Sequence, residues 1–131
     1  MARFETLHAI RVVAKPAVID ALVGDPGGLG MGSTVLRFAP DDLFIIGQLG
    51  ILEVSDQHAI IETELGFSGR WFTRSEFDST VRAHMEWPLP ANGNLGQGLI
   101  AGVAAKVHVE DKTVLVLCPT SFAHELEGRL V

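Results

Sequence analysis

The chain has 131 residues, 47% of them hydrophobic and 20% charged, which is typical of a folded domain with a sizeable apolar core and excludes a disordered protein. The net charge is −6 and the ten basic residues are scattered, which argues against nucleic acid and anionic membrane surfaces as partners. Cys118 is the only cysteine, so no internal disulfide can form, and we expect a cytoplasmic protein. We find neither a secretory signal nor an apolar run approaching the roughly 20 residues of a membrane helix.

The first half of the chain is predicted to consist of strands around one helix. Residues 8–13 are rich in β-branched side chains and predict a strand, and Pro16 fits the first turn of a helix over 16–23. Two β-rich runs at 34–38 and 43–46 bracket a Pro-Asp-Asp turn and predict a hairpin. Two further strands are predicted at 51–54 and 58–65.

Residues 25–33 form a glycine-rich loop that could be taken for a phosphate-binding motif. Its glycines fall at 27, 28, 30 and 32. The dinucleotide fingerprint would need another glycine where Ser33 stands, followed by a helix, and no helix is predicted there. We therefore predict a plain connection at this point.

The strongest local signal is the hexapeptide Phe-Thr-Arg-Ser-Glu-Phe at residues 72–77. Thr73 as N-cap and Glu76 three residues later predict a capping box, and Phe72 and Phe77 occupy the positions of a hydrophobic staple. The helix is predicted to end before Trp87, because a residue that precedes a proline avoids the helical region.

The last third of the chain predicts strand, turn, strand and helix. Residues 99–109 are interpreted as one extended run, with a bulge or a close backbone approach at Gly102. Residues 113–118 are continuously apolar, as expected for a strand buried on both faces. A short helix is predicted over residues 122–130.

The predicted order of elements is β-α-β-β-β-β-α-β-β-α, which indicates an α+β protein. The expected architecture is a ferredoxin-like split βαβ antiparallel sheet with helices packed on one face. No internal repeat and no domain boundary is found, so residues 1–131 are predicted to form a single domain.

No catalytic residue and no metal ligand is predicted. Five histidines lack the spacing of any metal motif, and they stand at positions 8, 58, 84, 108 and 124. Cys118 ends an apolar strand, which favours a buried, inert thiol over a nucleophile. Two acidic pairs, Asp41 with Asp42 and Glu62 with Glu64, could perform acid–base chemistry. A turn and a solvated strand face, respectively, account for them more simply.

Trp71 and Trp87 are the only tryptophans, and they flank the predicted central helix. In one interpretation they cover the core. In the other they mark a protein interface, where tryptophan is enriched among the residues that dominate binding. Both interpretations stay open, and the two tryptophans are the candidate interface residues.

Five short segments of residues 34–130 follow one another in a recognisable order: Val-Leu-Arg-Phe-Ala-Pro-Asp-Asp-Leu at 35–43, Leu-Glu-Val-Ser-Asp at 52–56, Trp-Pro-Leu-Pro at 87–90, Gly-Leu-Ile-Ala-Gly-Val-Ala-Ala at 98–105 and Pro-Thr-Ser-Phe-Ala at 119–123. Together they resemble the gamma subunit of heterotetrameric sarcosine oxidase, a family related in fold to the folate-dependent aminomethyltransferase of the glycine cleavage system. Each segment is short, and their order and spacing carry the resemblance.

The resemblance implies a non-catalytic, gamma-type subunit of a flavoenzyme complex in sarcosine catabolism and one-carbon metabolism. Such a complex oxidises sarcosine to glycine and passes the one-carbon unit to tetrahydrofolate. Flavin, NAD and tetrahydrofolate would then be bound by larger flavoprotein subunits, and this chain would hold no cofactor. Two alternatives remain: a stand-alone domain that binds a small, folate-like molecule, and a self-associating protein.

Overall fold

The described strands and helices span most of the chain. The computed structural model describes residues 3–24, 29, 32–47 and 52–131. Within them the strands are β1 (Glu5–Thr6), β2 (Ala9–Val13), β3 (Thr34–Ala39), β4 (Asp42–Ile46), β5 (Ile60–Glu64), β6 (Phe67–Thr73), β7 (Leu95–Ile100), β8 (Val103–Glu110) and β9 (Thr113–Pro119). The α-helices are α1 (Pro16–Gly24), α2 (Arg74–Thr80) and α3 (Ala123–Arg129), and Arg82–His84 and Thr120–Phe122 form 3₁₀ turns.

The chain divides into two compact units, each with its own sheet. The N-terminal unit is the described part of residues 8–64, and the C-terminal unit comprises residues 3–7 together with 65–131. Both sheets are antiparallel and both units contain helix, which confirms the α+β class. We expected one sheet, whereas the described strands form two. The single domain predicted for residues 1–131 stays a prediction.

The N-terminal unit packs α1 against one face of a four-stranded sheet. The strand order is β3-β4-β2-β5, and Val12, Leu43 and Ile45 form a core with Ile19 and Leu22 of the helix. The spacing of the last two places them on one side of the helix, which explains why the sequence folds this way. The predicted first strand, helix and hairpin are therefore confirmed, with ends that shift by about one residue.

A branched ion pair on the other face of this sheet ties three strands together. The Nε and Nη2 atoms of Arg11 on β2 donate to the two carboxylate oxygens of Asp42 on β4, at 2.8 and 2.6 Å. Its Nη1 donates to Glu64 of β5 at 2.9 Å, and its guanidinium lies 5.3 Å from the ring centre of Phe38. Hydrogen bonding to Asp42, and also to Glu64, raises the pKa of Arg11, so its guanidinium stays protonated.

The remaining strands predicted in the first half of the chain differ from those observed. The glycine-rich loop lies largely outside the described residues, as does residue 51 of the predicted strand 51–54, and residues 52–54 form no strand. The strand predicted at 58–65 is shorter and corresponds to β5. All five residues of β5 pair with β2, from Ala9 opposite Glu64 to Val13 opposite Ile60.

The C-terminal unit places α2 and α3 on one face of a five-stranded sheet of order β1-β6-β9-β8-β7. Phe77 of α2 and Leu126 of α3 meet Phe72, Val107 and Val116 of the strands in one core. Strand β9 lies inside the sheet, and its residues 114–118 are buried, as the apolar run predicted.

The capping box and the staple at the start of α2 are confirmed. The amide of Glu76 donates to the Thr73 hydroxyl at 3.1 Å, and the amide of Thr73 donates to the Glu76 carboxylate at 2.9 Å. The rings of Phe72 and Phe77 meet edge to face with centres 6.4 Å apart. A local pattern of four side chains therefore fixes both the start of the helix and its angle of entry.

The extended run predicted at 99–109 is in fact a hairpin. The chain reverses at Ala101 and Gly102, whose φ angles of 49° and 81° are both left-handed. Two left-handed residues make the turn that best suits a two-residue hairpin. The usual signal is Asn-Gly or Asp-Gly, and Ala-Gly does not provide it, so a bulge was expected at Gly102 where a turn exists.

Candidate interaction site

Trp71 lies on β6 with its side chain on the sheet face that points away from the helices. Successive strand residues alternate between faces, so Phe72 enters the core while Trp71 stays 38% exposed. Across the sheet, Trp71 is opposite Leu115 of β9, and Leu115 is opposite His108 of β8. The Trp71 and His108 rings meet edge to face with centres 6.3 Å apart.

His108 is a buried polar side chain in this row. It is 5% exposed, and its Nε2 has no hydrogen-bond partner among the described residues, with Glu110 Oε1 at 3.8 Å. Burial lowers the pKa of His108, and the nearby Glu110 carboxylate opposes that shift without cancelling it. The imidazole is therefore neutral near pH 7 and contributes to this face as a flat, mostly apolar ring.

Trp87 covers the other face of the same sheet, at its β7 edge. Its indole N–H donates to the carbonyl oxygen of Leu99 at 2.8 Å, and its ring packs against the core. A Cβ atom placed on Gly98 would lie 2.6 Å from the indole nitrogen, and one on Gly96 would lie 2.9 Å from the ring. The glycines at positions 96 and 98 of β7 therefore leave the space that this indole occupies.

A cavity of about 520 Å³ opens beside Trp87. His84, Glu86, Trp87 and Leu99 contribute to its lining, together with the turn at Ala101 and Gly102. Arg129 of α3 donates to the carbonyl oxygen of Ala101 in that turn at 2.7 Å. An indole, a carboxylate and an imidazole around one opening could hold a flat ring that also carries hydrogen-bond donors.

The two predicted interface residues do not form one patch. Trp71 belongs to β6, whereas Trp87 lies against β7 on the opposite face, and strands β9 and β8 run between them. Three strand spacings separate β6 from β7, which is roughly 14 Å. Trp71 is thus the solvent-facing member of the pair, and Trp87 is half-buried against its own unit.

Three of the other candidate groups are engaged in the fold, and the remaining ones are exposed. The Cys118 thiol is buried, and burial raises its pKa to about 11, as expected for an unreactive cysteine. Asp42 and Glu64 are held by Arg11, and Asp41 and Glu62 are exposed. The four histidines at 8, 58, 84 and 124 are exposed. Within the described part of the chain, no three His, Cys, Asp or Glu residues cluster as metal ligands would.

Sequence reasoning missed the contact between Trp87 and the glycines of β7. Gly96 and Gly98 alternate in a strand, and alternate glycines on one face indicate that a bulky group approaches the backbone closely. That signal was present in the sequence, but it did not identify which ring approaches.

Comparison with known proteins establishes the fold. No family model and no curated protein matches the sequence. No helix within the described ranges is long and apolar enough to cross a membrane. Among solved structures, a chain in the heterotetrameric sarcosine oxidase from Corynebacterium sp. U-96, in complex with pyrrole 2-carboxylate, is similar at a TM-score of 0.72 and 13% identity. The match covers 98% of this chain and 80% of that chain, and it confirms at the level of fold the resemblance that the sequence segments predicted.

Proposed function

We propose that this chain is a non-catalytic, gamma-type subunit of a sarcosine oxidase-like flavoenzyme complex. The observation that carries the proposal is the fold likeness to a chain of a heterotetrameric enzyme over 98% of this chain's length. The order of the short segments in residues 34–130 supports the same assignment independently of the structure. The complex would act in the cytoplasm.

In this proposal the chemistry is performed by partner subunits. Sarcosine would be oxidised to glycine on a flavin, with NAD and tetrahydrofolate bound by the larger flavoprotein subunits. The engagement of Cys118, Asp42 and Glu64 in the fold supports a structural role for this chain. Cys118 is a buried thiol of raised pKa, and Arg11 forms ion pairs with two of the four paired carboxylates.

Trp71 is the residue through which we expect contact with a partner. It is a large aromatic side chain, 38% exposed on a sheet face, and its ring is held by His108. An aromatic ring that is already ordered loses little conformational entropy on binding, which is why such residues often dominate interfaces. Trp87 donates its N–H within its own unit and is the weaker candidate.

The test is affinity purification of the tagged full chain from its native cell, followed by mass spectrometry and an absorbance spectrum of the eluate. Recovery of larger subunits with a flavin spectrum and sarcosine-oxidising activity would support the proposal. A Trp71→Ala variant should recover less flavin, while Trp87→Phe should recover the normal amount. A colourless chain recovered alone, of a mass that is a multiple of its own, would instead support self-association.

A second candidate function, binding of a small folate-like molecule, is favoured by the cavity beside Trp87. Its volume of about 520 Å³ and its indole wall suit a flat heterocycle, although Glu86 in its lining would repel the carboxylates of a folate. Titration with folate and with tetrahydrofolate would quench Trp87 fluorescence if the site is real. The Trp71→Phe variant should keep that quenching and the Trp87→Phe variant should lose it.

We also infer that the predicted split βαβ arrangement applies to the N-terminal unit alone. Strands β2 and β3 are each antiparallel to β4, which lies between them, and α1 connects them. That is the relationship which a split βαβ unit requires. The C-terminal sheet, of order β1-β6-β9-β8-β7, has no such pair joined by a helix.

A further inference from the structure

The outer side of β5 is an open strand edge with apolar side chains on both faces. β5 is the last strand in the order β3-β4-β2-β5, and within the described ranges no strand pairs with its outer side. Ile60 is 53% exposed and Ile61 is 41% exposed, and neighbouring strand residues point to opposite faces. Backbone N–H and C=O groups alternate along such an edge and form a template for another strand.

The backbone of this edge is already ordered by its pairing with β2. All five residues of β5 are in register with β2, and Arg11 of β2 bonds the Glu64 carboxylate at 2.9 Å. A strand fixed on one side loses little conformational entropy when its other side is paired. Proteins usually protect such edges with charged side chains, a proline or a bulge, and β5 has no proline, no bulge and only acidic charges, which a basic segment would complement.

The edge is also acidic. Glu62 is exposed at the middle of β5 and forms no ion pair with any described residue. The sequence of residues 8–64 contains eight Asp and Glu residues against three Lys and Arg residues, although the complete chain has a net charge of only −6. The negative charge of the protein is therefore concentrated in the unit that carries the open edge, and a basic segment would be attracted to it.

The same charges disfavour a second copy of the chain at this edge. Two β5 strands paired antiparallel about their centres would place Glu62 directly opposite the Glu62 of the other copy. Like charges directly opposite each other destabilise a strand pair. A register shift would relieve that contact but would still bring two acidic units together. The occupant that fits is therefore a different protein.

We propose that β5 receives an extended segment of a partner protein as an added antiparallel strand, with a basic residue facing Glu62 and apolar residues covering Ile60 and Ile61. Backbone hydrogen bonds supply affinity in this mode, and the alternating side chains supply specificity. The proposal rests on the proposed function, because it names a docking surface of the suggested subunit.

The first experiment measures binding of two labelled peptides to the full chain by fluorescence anisotropy. The sequence Thr-Lys-Thr-Lys-Val-Ile-Thr places lysines opposite Glu64 and Glu62 when it pairs antiparallel with β5. Its control, Thr-Glu-Thr-Glu-Val-Ile-Thr, has the same β propensity and the opposite charge. We expect the lysine peptide to bind at least about tenfold more tightly, and added salt to weaken that binding. Equal affinity of the two peptides, or no binding of either, would overturn the proposal.

Backbone methylation separates strand addition from simple charge attraction. Two lysine peptides are made with N-methyl groups on alternate amides, one set for the odd positions and one for the even positions. Only one set faces β5 in an added strand, so one methylated peptide should lose binding and the other should keep it. Retention of binding by both peptides would contradict strand addition.

Charge reversal locates the site. Glu62→Lys should invert the preference, so that the glutamate peptide binds more tightly than the lysine peptide. Glu53→Lys is the matched control, because Glu53 is an exposed glutamate of the same unit outside β5. It should leave the preference unchanged. An equal effect of both substitutions would show that the peptides sense only the overall charge of the unit.

The purification from the native cell then distinguishes this proposal from the proposed function. Loss of the flavoprotein with Glu62→Lys and its retention with Glu53→Lys would support both. Retention of the flavoprotein with both variants would overturn the β5 surface and leave the subunit assignment standing. A wild-type chain that recovers no flavoprotein but binds the lysine peptide at β5 would overturn the subunit assignment alone.

Discussion

The indole nitrogen of Trp87 lies 2.6 Å from the position that a Cβ atom on Gly98 would occupy. The ring fills the space that a side chain on β7 would take, and its N–H donates to the carbonyl oxygen of Leu99 at 2.8 Å. Trp87 is thus bound to the edge strand of its sheet by shape and by a hydrogen bond. The absence of a side chain at Gly98 is a requirement of this packing.

Gly98→Ala should therefore destabilise the protein. The added methyl group must displace the indole and strain the hydrogen bond to Leu99, and such overpacking costs about 1–3 kcal/mol. Urea denaturation followed by circular dichroism would measure the loss. The control is Gly128→Ala, because Gly128 lies within α3 and a Cβ there would meet nothing within 4 Å. That variant should be about 1 kcal/mol more stable, since alanine is a better helix former than glycine.

Thr73→Ala should weaken the start of α2. The substitution removes the hydroxyl that accepts from the Glu76 amide at 3.1 Å, and losing an N-cap of this kind costs about 1 kcal/mol. Thr73→Ser keeps the hydroxyl and should retain most of the stability. If the alanine and serine variants unfold at the same urea concentration, the capping box contributes nothing measurable.

His108 should make stability depend on pH in mildly acidic solution. Burial lowers the pKa of the folded imidazole below the ordinary value of 6.5, so the unfolded chain takes up a proton more readily than the folded one. Stability from this group is therefore complete above pH 6.5 and declines as the pH falls from 6.5 through the lowered pKa.

The measurement is the urea midpoint of the wild type and of His108→Leu between pH 7.5 and pH 5. The leucine variant should lose less stability over that interval. His124→Gln alters an exposed histidine and should follow the wild type. A decline of equal size in the wild type and in His108→Leu would contradict the assignment of this dependence to His108.

Arg11→Ala should destabilise the N-terminal unit. Arg11 binds Asp42 through two hydrogen bonds and Glu64 through a third, and its removal leaves two carboxylates without their shared cation. Because the group is about a third exposed, we expect a loss of about 1–2 kcal/mol. Arg11→Lys should recover only part of it, since an ammonium cannot reproduce the planar, two-sided arrangement. A double-mutant cycle with Asp42→Asn would show whether the two residues are coupled.

The sequence predicted those features whose cause is local. The capping box needs only Thr73 and Glu76, and the hairpin of β3 and β4 needs only its turn and two β-rich runs. Strand β6 was missed, because Ser68, Gly69 and Arg70 have weak strand propensity and become a strand by pairing with β9 along its full length.

The candidate site was predicted only in part, for a similar reason. The sequence identified the two tryptophans as candidate interface residues. Their environments depend on strand register and on glycines elsewhere in the chain, which the sequence alone does not give. Trp71 alternates with Phe72 and so faces solvent, whereas Trp87 reaches Gly96 and Gly98 across a loop. Distinguishing an exposed ring from a packed one therefore required the pairing of β6 with β9 and of β7 with β8.

The pairing of β6 with β9 has a consequence for synthesis. The Ser68 hydroxyl donates to that of Thr120 at 3.0 Å, and these residues are 52 positions apart. During translation, β6 and α2 are synthesised well before β9, the strand that lies between β6 and β8 in the sheet. Until then the aromatic side chains of β6 and the open side of that strand are without their partner, and we expect this intermediate to be a target for chaperones and, at high expression, a cause of aggregation.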